Sequence, residues 1–187
     1  MRVLFLENED SFSWNVIDRL PCERGDVAVV PGRGVAARPE RLAGVDVLVI
    51  GPGPTDPVRA GLVGVVHEAA ARHLPTLGIC LGHQAIGLAF GAHLVRTPPR
   101  HGKRSLATFA GGRIFAAFDG PQTVMRYHSL ALTDVVPPLR VVATSEDGVV
   151  MAVEHDTLPM AGLQFHPDSF ATPRGAEMIA GFFRGLA

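Results

Sequence analysis

The residue with the clearest chemical potential in this sequence is one thiol. Cys80 lies in Gly78-Ile79-Cys80-Leu81-Gly82-His83-Gln84, between two glycines. An apolar segment, Pro75 to Ile79, precedes it, and Leu81 to Phe90 follows, long and apolar enough to form a buried helix. The Gly-x-Cys-x-Gly frame is the thiol counterpart of the Gly-x-Ser-x-Gly nucleophile elbow, in which the glycines permit a tight, strained turn that exposes the nucleophile at a helix start. A thiol placed there faces free N–H groups and the positive end of the helix dipole, and both favour the thiolate. The same frame also fits an inert buried cysteine in a Gly-rich turn.

A thiol nucleophile needs a base, and the base needs an orienting partner. Of the eight histidines, His166 stands out in Gln164-Phe165-His166-Pro167-Asp168-Ser169, where a strand-like run delivers it to a loop and Asp168 follows two residues later. On a bent loop Asp168 could hold the ring so that its other nitrogen faces the thiol. A turn with a surface histidine is the plainer alternative. Gly51-Pro52-Gly53-Pro54 is either a rigid turn or a place where a glycine N–H approaches a substrate carbonyl and, with the Leu81 N–H, forms an oxyanion hole. Arg126-Tyr127-His128-Ser129-Leu130 suits a strand end or a polar pocket wall. His101-Gly102-Lys103-Arg104 suits a solvated basic loop or a partner-facing one. The histidines lack ligand-like spacings and the two cysteines are isolated, so no metal is expected. Gly111-Gly112 lacks the pattern and the lysine of a phosphate loop, and no cofactor is implied.

The elements that must position these groups follow in order. Arg2 to Leu6 reads as a strand. Asp10 to Ser13 offers capping side chains ahead of Trp14, Ile17 and Leu20 at helical spacing. Asp26 to Val30 and Val45 to Ile50 read as further strands, the latter almost uninterrupted in its apolar character, as in parallel sheets covered on both faces. Val58 to His73 reads as a helix, then Thr76 to Ile79 as a strand. Repeated strand-then-helix order predicts an open α/β sheet with ligands beyond the carboxyl ends of its strands, where Gly51 to Pro54 and Cys80 both fall. After Phe90 come short β-prone runs at His93–Thr97, Ser105–Phe109, Thr123–Tyr127, Leu139–Thr144, Val149–Glu154 and Met160–Phe165, separated by turn signals. They predict an antiparallel extension of the same sheet. Thr172-Pro173 is a good N-cap and N1 pair for a closing helix through Phe183.

At 187 residues and 47% hydrophobic content, the chain can bury a substantial core, and its length fits one domain. A net charge of -1 leaves no electrostatic footprint for nucleic acid. Cys22 and Cys80 make no disulfide framework, which points to a reducing cytoplasm. The opening strand-like run followed by Glu7, Glu9 and Asp10 offers no export signal. Leu74 to Val95 lacks Asp, Glu, Lys and Arg, but its proline, histidines and glycines read as protein core rather than a membrane span.

Taken in order, Asp10-Ser11-Phe12 with Asn15, Gly51-Pro52-Gly53, Gly78 through Ile86, His101-Gly102-Lys103, Arg126 through Leu130 and Gln164 through Ser169 resemble the class I, or triad, glutamine amidotransferases. Within that class they resemble the small subunit of anthranilate synthase and of aminodeoxychorismate (para-aminobenzoate) synthase. The resemblance covers nearly the whole chain and implies one flavodoxin-like α/β domain over residues 1–187. It implies that Cys80 attacks the side-chain amide of L-glutamine while the Gly53 and Leu81 N–H groups hold the oxyanion. His166, oriented by Asp168, would protonate the departing ammonia and then activate water. Gly51, Pro52, Gly53, Gln84, Ser129 and Leu130 match positions that grip glutamine's amino-acid end. Ammonia would pass to a separate chorismate-using synthase subunit, with His101 to Arg104 and Glu7 to Phe12 as candidate partner faces. The alternatives are a catalytically silent regulatory relative and a stand-alone amidase or peptidase of the same fold. Two departures stand out: Asp168 replaces the family's usual glutamate, and Glu7 and Glu9 stand where aspartate and an aromatic residue are common.

Overall fold

The computed structural model describes residues 1–186. Nine strands form one sheet in the order β2-β1-β3-β4-β9-β8-β7-β5-β6. Its parallel half comprises β1 (Val3–Glu7), β2 (Val27–Pro31), β3 (Val47–Ile50) and β4 (Thr76–Ile79), with the helices α1 (Ser13–Ile17), α2 (Gly32–Ala36), α3 (Leu62–Ala71) and α4 (Leu81–Ala89) between and after them. The antiparallel half comprises β5 (His93–Phe109), β6 (Gly120–Thr133), β7 (Leu139–Ser145) and β8 (Val150–His155). The last strand, β9 (Met160–Leu163), returns to the centre before α5 (Gly175–Arg184) closes the fold. It pairs parallel with β4, Thr76 opposite Met160 and Ile79 opposite Leu163, and antiparallel with β8.

Strand alternation explains the three layers, because successive side chains point to opposite faces. Val3, Phe5, Val47 and Val49 face one core, shared with Val16 and Ile17 of α1 and with Met178, Ile179 and Phe182 of α5. Leu4, Leu6, Leu48 and Ile50 face the other, with Val35 of α2, Val65 and Val66 of α3, and Ala85 and Ile86 of α4. Helices therefore cover both faces of a mostly parallel centre, with an antiparallel extension on one side. No helix among the described residues is long and apolar enough to cross a membrane.

Several local expectations give way to tertiary structure. The runs at His93–Thr97 and Ser105–Phe109 are two ends of one strand, β5, which carries the supposed basic loop His101 to Arg104 in its middle. Two register shifts against β6, at Arg96/Arg100 and His101/Lys103, accommodate that stretch, with Gly102 at φ +64°. Gly32 to Ala36, directly after β2, is a short helix. Trp14 is 51% exposed, and Val16 joins Ile17 and Leu20 in the core instead. The closing helix begins at Gly175, after Arg174. Thr172 does not cap it: its hydroxyl donates to the His166 carbonyl at 2.8 Å and accepts from the Met125 N–H at 3.0 Å. That side chain staples the His166 loop to β6.

The antiparallel half is also held by a fully buried carboxylate. Glu154 on β8 accepts from the backbone N–H groups of Arg113, Ile114 and Phe115 at 2.7 to 3.0 Å, which fixes the loop after β5 beneath the core. Bringing these donors to one carboxylate satisfies backbone groups that would otherwise be buried unpaired.

Candidate active site

Cys80 forms the turn between β4 and α4 with φ +51° and ψ −95°, a conformation that costs a non-glycine residue on the order of 1–3 kcal/mol. Close packing holds the turn in place. The Cys80 N–H donates to the Leu163 carbonyl of β9 at 2.8 Å, and the Cys80 carbonyl accepts from the Gln84 N–H at 3.1 Å. The two framing glycines make room for this approach. A Cβ on Gly78 would lie 2.4 Å from the Gly82 backbone, and one on Gly82 would lie 2.2 Å from the Ile50 carbonyl oxygen. The frame is thus a requirement of packing β4, α4 and β3 around the thiol.

Cys80 opens onto a cleft of about 360 Å³ at the carboxyl end of the parallel strands, within the range of small-ligand sites. Gly53, Gln84, Ser129, Leu130 and His166, all singled out from the sequence, line the same cleft. The Gly53 and Leu81 N–H groups have no acceptor among the described residues, as a pair of oxyanion donors requires. Gly51 and Pro52 lie outside the cleft lining. Gly51 donates to the Leu6 carbonyl and accepts from the Asn8 side chain, each at 3.0 Å, so it anchors the loop that carries Gly53. Asp168 is also absent from the lining and stands behind His166.

His166 is 2% exposed, with Nδ1 3.3 Å from Asp168 Oδ1. That contact is an ion pair without hydrogen-bond alignment, since neither Asp168 oxygen nor His166 Nδ1 has an aligned partner. A side chain one methylene shorter than glutamate reaches the ring but does not square up to it. Burial opposes the imidazolium, yet the Asp168 carboxylate and the Cys80 sulfur beside the ring outweigh it and push His166 up to about 10. The rings of Phe12 and Tyr127 stand edge-on to the imidazole at 5.7 and 5.0 Å between centroids. One comes from the loop after β1 and the other from β6, so both halves of the sheet enclose the base.

On the opposite wall, His128 behaves in the reverse sense. Burial and the Arg126 guanidinium push it down to about 4, which leaves it neutral. Arg126 is fully buried and pairs with Asp147 through Nη1 at 2.8 and 3.0 Å. Of the two readings of Arg126 to Leu130, the pocket wall holds: Tyr127 to Leu130 line the cleft from within β6, with Arg126 buried behind them. His101 from β5 also lines the mouth.

Gln164 was present in the sequence motif without a role, yet it is fully buried and its Nε2 donates to Cys80 Sγ at 3.6 Å. The available signal was its spacing, because residues two apart on an extended chain share a face, and His166 is two residues on. His128 carried the same signal toward Leu130, two residues on along β6, whereas only tertiary packing brings Phe12 and Tyr127 to His166.

Residues 4–186 match the family model for glutamine amidotransferase class-I. The chain is 43% identical to the anthranilate synthase component 2 of Mycobacterium tuberculosis, over 96% of this chain and 80% of that protein. It is 37% identical to the aminodeoxychorismate synthase component 2 of Klebsiella aerogenes, over 96% and 98% respectively. It is 43% identical to the aminodeoxychorismate synthase of Streptomyces griseus, but spans only 26% of that longer protein. In fold it resembles a solved glutamine amidotransferase of Thermotoga maritima, with a TM-score of 0.74 at 16% identity over 100% of this chain and 96% of that one. The chain belongs to the class I glutamine amidotransferase family, as a relative of component 2 of anthranilate synthase and of aminodeoxychorismate synthase.

Proposed function

We propose that this chain is the glutaminase half of a two-part synthase: it hydrolyses L-glutamine through a thioester on Cys80 and passes ammonia to a chorismate-using subunit. The observation that carries this reading is the strained Cys80 turn, which opens onto the same cleft as His166 and Gly53. The Cys80 sulfur attacks the side-chain amide carbon of glutamine, and the carbonyl oxygen, now negative, accepts from Gly53 and Leu81. The imidazolium of His166 gives its proton to the amide nitrogen, the C–N bond breaks and ammonia leaves. Forming the thioester removes the sulfur's negative charge, one of the supports that hold the His166 proton. The ring is then free to take a proton from water as that water attacks the thioester. Glutamate departs with the Cys80 sulfur as leaving group, and the imidazolium is restored.

Gln84, Ser129 and Leu130 hold the amino-acid end of glutamine, with Gly51 and Pro52 shaping the loop beneath it. Asp168 orients His166. Asp10, Phe12 and His101 stand at the cleft mouth, which supports the Glu7–Phe12 and His101–Arg104 stretches as the face toward the synthase subunit. A glutamine-like diazoketone tests the reading. Mass spectrometry should find a single adduct on Cys80, absent from Cys80→Ser, whose glutamine hydrolysis should fall by about 10³-fold or more. Full hydrolysis by Cys80→Ser would remove the nucleophile assignment, and an unlabelled wild-type chain would identify a silent relative. Stimulation of glutaminase activity by a chorismate-aminating subunit tests the partner.

A further inference from the structure

The two walls of the cleft are joined by an unbroken line of hydrogen bonds whose direction is fixed by donor and acceptor inventory. The Leu130 carbonyl can only accept. It receives Gln84 Nε2 at 3.1 Å and His128 Nδ1 at 2.9 Å. Both groups must therefore present N–H to it. Arg126 Nε can only donate, and it points at His128 Nε2 at 3.1 Å, so that nitrogen is the acceptor. His128 is thereby locked in one tautomer, with a guanidinium beside it and no room for a second proton. Gln84 Nε2 spends its other hydrogen on Gln164 Oε1 at 3.2 Å. Gln164 must then turn its own N–H groups the other way, toward Cys80 Sγ at 3.6 Å. Gln84 is left with its carbonyl oxygen, which has no donor among the described residues, on a side chain that lines the cleft. Arg126, His128 and Gln164 are buried to 4% exposure or less, so water offers these bonds no ready substitute.

We propose that His128 and Gln164 are positioning residues: His128 fixes the Leu130 carbonyl and with it the acceptor that Gln84 presents to glutamine, while Gln164 donates an N–H to the Cys80 sulfur. This deepens the glutaminase reading and rests on it. Asp147, at the far end, anchors Arg126 from the turn between β7 and β8, and Arg100 on β5 shares that carboxylate at 3.2 Å.

The test uses the full chain in a Cys22→Ser background, so that iodoacetamide reports on Cys80 alone, and glutamine protection against alkylation reports binding without a partner subunit. Gln164→Met, which keeps bulk and removes the donor, should slow alkylation at neutral pH about tenfold, the loss of one bond to a charged sulfur. Asparagine can place its amide nitrogen where His128 Nδ1 lies, whereas glutamine reaches the Nε2 position. His128→Gln should therefore raise the half-protecting glutamine concentration about tenfold, and His128→Asn should rescue most of that loss. A merely structural role would move melting temperature in both His128 variants without separating them. Equal protection by the two, or alkylation of Gln164→Met at the wild-type rate, overturns the proposal while leaving the glutaminase reading intact. A wild-type Cys80 that reacts no faster than a free thiol and gains no protection from glutamine overturns both. Thermal melting checks that each variant folds, and Gln164→Leu replaces Gln164→Met if the latter does not.

Discussion

The two halves of the sheet solve different problems. Strands β1 to β4 bury a single polar side chain, Thr76, and pair in continuous register. Strands β5 to β8 bury Ser105, Arg126, His128, Ser145, Glu154 and His155, and their pairing is interrupted by register shifts in β5 and β7. The parallel half holds the strained Cys80 turn, which an apolar and tightly packed frame can sustain. The antiparallel half supplies oriented donors and acceptors, which need partners at every step because each unpaired polar group in a dry interior is costly. The strained turn and the polar network thus lie on opposite sides of β9.

The contrast implies unequal costs when each half is cut, and the largest falls on the polar side. Glu154→Ala should lose about 3–5 kcal/mol in denaturant unfolding, since it strands several backbone donors and the nearby Arg140 guanidinium. A loss below about 1 kcal/mol would mean that the antiparallel half does not depend on its polar network. Gly82→Ala attacks the other half by pure crowding against the Ile50 carbonyl, and should cost about 3 kcal/mol together with diazoketone labelling of Cys80. Normal labelling in a stable Gly82→Ala protein would show that the elbow does not need that contact.

Asp168 sits where the halves meet. Asp168→Ala should lower glutamine hydrolysis by about 10²-fold or more, whereas Asp168→Glu should preserve or raise it by restoring alignment with His166. Three equal rates would remove the carboxylate from the mechanism. His166 itself offers a pH test. Its folded value of about 10 lies above the ordinary 6.5, so its ion pairing contributes fully below pH 6.5 and is lost as pH rises through about 10. In Cys80→Ser, NMR titration should find His166 titrating lower, because the sulfur's hydrogen bond and charge are gone. The smallest effect belongs to Gly64→Ala in α3, where an added Cβ meets nothing within 4 Å: a gain of about 0.5–1 kcal/mol in unfolding free energy.

Legibility divided along the same line. Thr76–Ile79 and the Cys80 turn could be read from residue order alone, because apolar runs and glycine spacing act locally. His166 and Gln84 were legible as motif members. The central place of β9 was not, since pairing of Thr76 with Met160 is decided by which surfaces meet after folding. The bulges around His101 were hidden for a related reason: β5 must bend to keep its outer and inner pairing with β6, and no single stretch of sequence encodes both. Thr172 illustrates the limit best. Its capping signal was sound chemistry, but a buried carbonyl at His166 and a buried N–H at Met125 competed for the same hydroxyl.

The placement of β9 has a consequence for how the enzyme comes into being. Cys80 precedes the antiparallel strands, yet its amide is pinned by Leu163, and Gln164 and His166 follow directly after that strand. A nascent chain that has reached the antiparallel strands holds the thiol but neither His166 nor the Leu163 carbonyl that pins the Cys80 amide. The centre of the sheet closes only when a segment some eighty residues downstream slots between β4 and β8, a long-range pairing of the kind that folds slowly. Synthesis itself therefore acts as a timer: the Cys80 sulfur and His166 come together only after β9 and the segment that follows it have emerged.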